Sequence, residues 1–278
     1  MDVSKATKDV SELGRIAAAV RGQIVTMSHE AETPHLGSSL SCTDIVTAAY
    51  WAVLRLDPRR PDAPDRDRFI LSKGHAATAL YTALCFRGFF PREILDNYNH
   101  NGSPLAEHPG PGSVPGVEAA TGSLGHGLPI AVGLAMASRI RKIPYRVYAL
   151  LSDGECNEGS VWEAAMMAPA QKLGNLCAIV DYNKWQATGR SNETLALAPL
   201  ADKWRAFGWE VHDIDGHDMP TLVRLMDQLP DGSGKPVAII ANTVKGKGVS
   251  FMEDDNNWHY RIPTAEEVKA AYRELGLS

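Results

Sequence analysis

The sequence predicts an α/β fold: a doubly wound, mostly parallel sheet with helices on both faces. Two observations lead there. From Leu128 onward, helix-spaced segments alternate with short apolar runs, and such alternation implies right-handed crossovers and a parallel sheet. The apolar runs also end in polar residues at Ser152-Asp153-Gly154 and Asp181-Tyr182-Asn183. In open parallel sheets, ligands sit outside the carboxyl ends of the strands.

The elements follow in order. Residues 8 to 30 place Val10, Leu13, Ile16, Ala17, Val20 and Ile24 on one helical face. A second helix is predicted from Cys42 to Leu54, with Ser41 as its candidate cap. Pro58, Pro61 and Pro64 mark a loop, Arg68 to Leu71 a short strand, and Ala76 to Phe86 a helix. Asn99 to Gly127 is rich in Gly and Pro and carries His100, His108 and His126. A loop this long in a compact domain is usually functional or disordered. Helices are then predicted at Leu128 to Ile140, Val161 to Lys172, Leu200 to Phe207 and Met219 to Leu229. Each leads to a strand: Val147 to Leu151, Cys177 to Val180, Glu210 to Ile214 and Val237 to Ile240. An amphipathic helix from Thr264 to Leu275 closes the chain. With no internal repeat and no linker, the span 1–278 reads as one domain.

Composition narrows the function. The 278 residues are 44% hydrophobic and 22% charged, an ordinary globular balance. The net charge of -5 offers no electrostatic footprint for nucleic acid or an anionic membrane. No apolar run is long enough to span a bilayer, and the N-terminus lacks a secretory signal. The four cysteines (Cys42, Cys85, Cys156, Cys177) form no Cys-x-x-Cys pair and have no zinc-like spacing. Reduced thiols in the cytoplasm are the expected state.

The two polar strand ends carry the chemistry. One intervening helix separates Asp153 from Asn183, which places both at the carboxyl ends of neighbouring parallel strands. A carboxylate and an amide oxygen are hard ligands suited to Mg2+ or Ca2+, and Mg2+ draws its remaining oxygens from phosphates. Gly154 would let the backbone approach a phosphate. Alone, Asp-Gly is most often a turn, and Asn after a strand a cap.

Together the two pieces resemble the thiamine-diphosphate signature, which begins Gly-Asp-Gly and ends about thirty residues later at Asn. Ser152 stands where that signature has its first glycine. Further segments resemble the transketolase family, in order along nearly the whole chain. They are Thr33-Pro34-His35-Leu36-Gly37-Ser38, Asp67 to His75, Glu107-His108-Pro109-Gly110, Pro115 to Gly125, Lys245-Gly246-Lys247-Gly248 and Trp258-His259. The resemblance implies the diphosphate half of a split transketolase. Its activity would be transfer of a two-carbon ketol unit from a ketose, phosphate or analogue, to an aldose.

It also implies the site. Asp153, Asn183 and the carbonyl of Trp185 would hold the metal: Mg2+, with Ca2+ or Mn2+ as substitutes. His75, Gly122, Leu124, Asp153, Gly154, Glu155, Asn183 and His259 would bind thiamine diphosphate. His35, His75, His108 and His259 would serve the sugar, since histidine suits proton transfer near neutral pH. Glu158 and Glu163 would lie at a subunit interface, or else are helix-start carboxylates favoured by the macrodipole. Lys245 and Lys247 approach the diphosphate or form a solvated loop. His126 tunes the site or caps a helix, and His217 belongs to a turn.

No segment matches the glutamate that activates the aminopyrimidine. In the family it lies on a pyrimidine-binding domain, which would begin where this chain ends. A separate C-terminal transketolase subunit in an A2B2 assembly is therefore expected, and a truncated chain is the other origin of the same pattern. The competing functions are a 2-oxo acid-using thiamine enzyme (deoxyxylulose-phosphate synthase-like or dehydrogenase-like) and a non-catalytic chain that binds only a partner.

Overall fold

The computed structural model describes residues 3–230 and 233–277, so the predicted single-domain span reaches past the described residues at both ends. The chain opens with α1 (Val10–Glu30), α2 (Leu36–Ser41) and α3 (Thr43–Thr47), and α3 continues into a π-helical turn at Ala48–Val53. Next come β1 (Arg68–Leu71), α4 (Ala77–Phe86) and α5 (Arg92–Asp96). The regular alternation is α6 (Gly127–Arg141), β2 (Val147–Ser152), α7 (Gly159–Ala170) and β3 (Leu176–Tyr182). It continues through α8 (Ser191–Thr194), α9 (Leu200–Ala206), β4 (Glu210–Asp215), α10 (Met219–Asp227) and β5 (Val237–Asn242), and ends in α11 (Ala265–Glu274).

The five strands are all parallel, in the order β1-β2-β3-β5-β4. The predicted neighbours β2 and β3 pair directly, with Leu150 opposite Ile179 and Ser152 opposite Asp181. The chain steps in one direction from β1 to β4, and β5 returns to the place between β3 and β4. Right-handed crossovers then put α6, α7 and α9 on one face and α10 on the other. The two cores agree. One packs Leu128, Val161 and Trp204 against Val147, Ala149 and Ala178. The other packs Ile24, Leu80 and Leu222 against Tyr148, Leu150 and Ile179. Successive strand residues face opposite cores, as the period of two requires.

Three local expectations change. Ser41 does not cap α3: its hydroxyl donates to the Ser38 carbonyl and to Asp181, and Cys42 takes the N-cap position without a side-chain bond. Segments α2, α5 and α8 add to the predicted elements, because four to six residues are too few to show a helical period. At the C-terminal end, Thr264 caps α11 in a full capping box with Glu267.

Candidate active site

The carboxyl ends of β2 and β3 meet one cavity of about 390 Å³. Its wall includes His35, His75, His108 and His259, with Gly122 and Leu124 from the long loop and Gly154, Asn183 and Trp185 from the strand ends. Nine of the residues expected from the sequence thus converge, from segments more than 200 positions apart.

The metal pair is built first. Asp153 ends β2 and is fully buried. Its Oδ1 accepts from Gly154 N–H (2.8 Å), and its Oδ2 from Lys184 N–H (2.9 Å) and Ser191 Oγ (2.7 Å). All three donors are neutral. Burial, with repulsion from Asp181, pushes its pKa up to about 6 against the pull of Ser191. It is a buried carboxylate short of a cation. Asn183 is also buried; its Oδ1 accepts from Trp185 N–H (3.0 Å), which leaves a second lone pair. Among the described residues no three His, Cys, Asp or Glu side chains form a metal site, so an ion here needs oxygens from backbone and ligand. That donor set suits Mg2+ on a diphosphate.

Beneath the pair lies a charged layer that the sequence did not reveal. Asp181 is fully buried and accepts from Lys73 Nζ, Thr243 Oγ1, Ser41 Oγ (2.6 Å) and Asn183 Nδ2 (3.4 Å). Lys73 also donates to the Ser38 carbonyl (2.9 Å). Burial opposes its charge, but Asp181 outweighs that and raises its pKa. The layer locks Asn183 from below. Its only outward sign in the sequence is an aspartate inside an otherwise apolar strand.

Glu155 has a different place from the one expected. It is fully buried outside the cavity wall. It accepts from Ser72 Oγ, Gly125 N–H (2.9 Å) and Ser152 N–H (3.2 Å), so it fastens the long loop to the strand end. Ser152, the departure from the glycine pattern, returns a bond: its Oγ accepts from Glu155 N–H (3.2 Å).

The histidines form a cluster. His35 has ring-centroid distances of 5.4 Å to His75, 5.9 Å to His108 and 4.9 Å to His259. It sits at a left-handed φ of 70°, and its N–H donates to the His259 carbonyl (2.6 Å). Such a backbone is uncommon outside glycine and is held by its surroundings. His35 Nδ1 faces Glu107 at 3.1 Å. Next to His75, any side chain at Gly74 would run into the Thr121 carbonyl, so the long loop passes directly over it. Burial, then neighbouring positive charge, keeps His75 well below its usual range and lowers His259 to about 3. Both are neutral imidazoles.

Lys245 resolves toward the site. It is buried; its Nζ bonds Asn256 Oδ1 (2.7 Å) and lies 3.0 Å from His259 Nδ1. Burial and Lys73 lower its pKa to about 7. Lys247 instead pairs with Glu253 near the surface, 3.3 Å away. His217 does more than turn the chain: its Nδ1 meets Asp44 (2.7 Å) and its Nε2 accepts from Val244 N–H (3.0 Å). The exposed His126 ring bonds the Leu124 carbonyl (3.1 Å) and makes no side-chain cap. Glu158 occupies the N-cap of α7, while Glu163 lies within the helix rather than at its start.

The comparisons with known proteins agree with this geometry. The family model described as "Transketolase, thiamine diphosphate binding domain" matches residues 14–278. One of the two subunits of the apulose-4-phosphate transketolase of Phocaeicola vulgatus is 43% identical over 255 residues, covering 92% of this chain and 90% of that protein. The 6-deoxy-6-sulfo-D-fructose transketolase subunit SqwG of a Clostridium species is 45% identical over 241 residues, covering 87% and 88%. The transketolase structure from Campylobacter jejuni superposes with a TM-score of 0.91 at 31% identity; 97% of this chain matches 43% of that one.

Proposed function

The chain belongs to the transketolase thiamine-diphosphate-binding family, and from that premise we propose that it is the diphosphate- and metal-binding subunit of a split transketolase. It would transfer a two-carbon ketol unit between sugars. One observation carries the reading: a buried carboxylate short of a cation, Asp153, opens with Asn183 into a cavity walled by four histidines. Folding alone demands no such set.

Asp153, Asn183 Oδ1 and the Trp185 carbonyl would hold Mg2+, and Gly154 lets the backbone approach the diphosphate. Bound there, thiamine diphosphate supplies a carbon nucleophile and an electron sink for cleaving a bond beside a carbonyl. The chain's own groups do the rest. His35, His108 and His259 face the sugar, and His75 lies between sugar and diphosphate. Neutral imidazoles can donate or accept protons at sugar hydroxyls without carrying charge into the cavity. Lys245, at His259 Nδ1, favours the tautomer that presents His259 Nε2–H to the cavity.

The chain spans about two-fifths of the solved transketolase it matches, so a partner would supply the remainder. Relatives of its own length carry subunit names. A second copy has a surface to meet: α6 and α7 expose Ile130 (36%), Met166 (52%) and Met167 (42%) beside Glu163. Exposed apolar groups on adjoining helices suit an interface, and an A2B2 assembly follows. No helix among the described residues is long and apolar enough to cross a membrane. With buried free thiols at Cys42, Cys156 and Cys177, the cytoplasm is the proposed compartment.

The test is reconstitution. The purified chain is expected to show no ketol transfer with thiamine diphosphate, Mg2+ and a ketose panel, and to gain it on adding the pyrimidine-domain chain. Robust turnover by the chain alone would defeat the split-subunit reading.

A further inference from the structure

Trp185 enters the reading above only through its backbone, yet its side chain is the most heavily restrained group at the cavity mouth. The indole Nε1–H donates to Asp254 Oδ1 (2.7 Å). The Arg190 guanidinium lies over the ring, 3.7 Å from its centroid. Arg190 also grips both oxygens of the same aspartate, at 2.7 and 2.8 Å. Trp185 and Arg190 are joined by an isolated antiparallel bridge.

The geometry around this triad is unusual for a surface loop. Lys184, just before Trp185, has a left-handed φ of 70°, and Asp254 one of 58°. Two non-glycine residues in that region are sustained only by surroundings that over-determine them. Asp254 N–H donates to the Lys245 carbonyl (2.8 Å), which fixes the aspartate from its own side. Asn256 Nδ2 adds a second tie across the loops, to the Ala187 carbonyl (3.2 Å). The loop of Asn183 and Trp185 is thus fastened to the loop that carries Lys245, Asn256 and His259.

A solvent-facing ion pair alone stabilises little, and Asp254 is 57% exposed. A bidentate pair that also stacks on an aromatic face and takes its N–H is a different object, because three groups fix one another's orientation. We infer that Asp254 and Arg190 are positioning residues for the metal: they clamp the Trp185 indole and so hold the Trp185 peptide in the orientation its carbonyl needs as a ligand. The inference rests on the metal reading above. Groups that orient a ligand typically contribute 10- to 100-fold to metal affinity. The partial exposure here places the effect at the low end.

The experiment is a Mg2+ titration of the assembled complex at fixed thiamine diphosphate, read by calorimetry and by tryptophan fluorescence. Asp254→Ala and Arg190→Ala are each expected to raise the half-saturating Mg2+ concentration about tenfold. Turnover at saturating Mg2+ and the thermal midpoint of the ligand-free protein should stay near wild type. The double variant should be no worse than either single one, since both break the same clamp. Asp254→Asn, which keeps an acceptor for the indole, should lose less. Unchanged half-saturation in an assembled Asp254→Ala complex overturns the inference. If that variant does not assemble, Arg190→Gln carries the same criterion. A wild-type complex that binds neither Mg2+ nor thiamine diphosphate overturns the function reading and this inference with it; an indifferent variant beside a binding wild type overturns the inference alone.

Discussion

The two ends of β2 each bury an aspartate completely, and the two aspartates have opposite fates. At the amino end, Asp67 accepts from the backbone and guanidinium of Arg146 (2.8 and 2.7 Å) and from those of Arg55 (both 2.9 Å). Burial works against its charge, but the two arginines outweigh it and hold its pKa below the usual range. At the carboxyl end, Asp153 meets only neutral donors, and burial lifts its pKa to about 6. The residue and its burial are the same, and the shift is opposite. A carboxylate supplied with the protein's own cations belongs to the fold, and one left without a bonded cation waits for an external one.

The largest expected effect tests that distinction at the site. Asp153→Ala should abolish measurable Mg2+–thiamine diphosphate binding in calorimetry, because it removes the one charged ligand. Circular dichroism and partner assembly should persist, since no cation of the protein is left unpaired. Wild-type cofactor affinity in this variant would break the comparison.

The mirror experiment is Asp67→Ala. It strands the buried Arg146 guanidinium, and losing one partner of a buried pair typically costs about 3–5 kcal/mol. Denaturant unfolding should report that loss. Cofactor affinity of the protein that remains folded should not change. A variant that keeps its stability but loses its cofactor would invert the roles assigned to the two ends.

How much of this is legible in the sequence follows the same divide. The strands are readable because both faces are covered, which leaves near-continuous apolar runs such as Val147-Tyr148-Ala149-Leu150-Leu151. Asp153 and Asn183 are readable because polar groups interrupt those runs where the strands stop. The four histidines are found through the resemblance alone; nothing in their spacing brings His35 to His259. What stays hidden depends on pairing across the fold. Lys73 and Asp181 are 108 positions apart, and Arg190 and Asp254 are 64 apart. Each reads alone as an ordinary charge. Glu155 shows the converse limit: it stands beside Asp153, yet a short 3-10 helix directs it away from the cavity and under the long loop.

The smallest expected effect separates the two ends by pH. His259 is buried as a neutral imidazole, its pKa lowered from 6.5 to about 3 by burial and then by Lys245. A histidine whose pKa falls on folding contributes stability that is present above 6.5 and is lost as pH drops below it. Asp67, whose pKa is lowered from 3.8, contributes stability present above 3.8 and lost only below that value. Acid should therefore strain the site end first and the amino end later. Between pH 7 and pH 5, the His259 contribution alone predicts a loss of about 2 kcal/mol, since pH 5 lies about 1.5 pH units below the unfolded value at 1.36 kcal/mol each. His259→Gln should flatten the stability–pH curve of the ligand-free protein by that amount in this window, and leave the limb below pH 4 as it was. Denaturant midpoints measured at half-unit pH intervals give the answer. A His259→Gln curve parallel to wild type from pH 7 to 5 would mean the imidazole protonates without cost, and the site end would not be the acid-sensitive one.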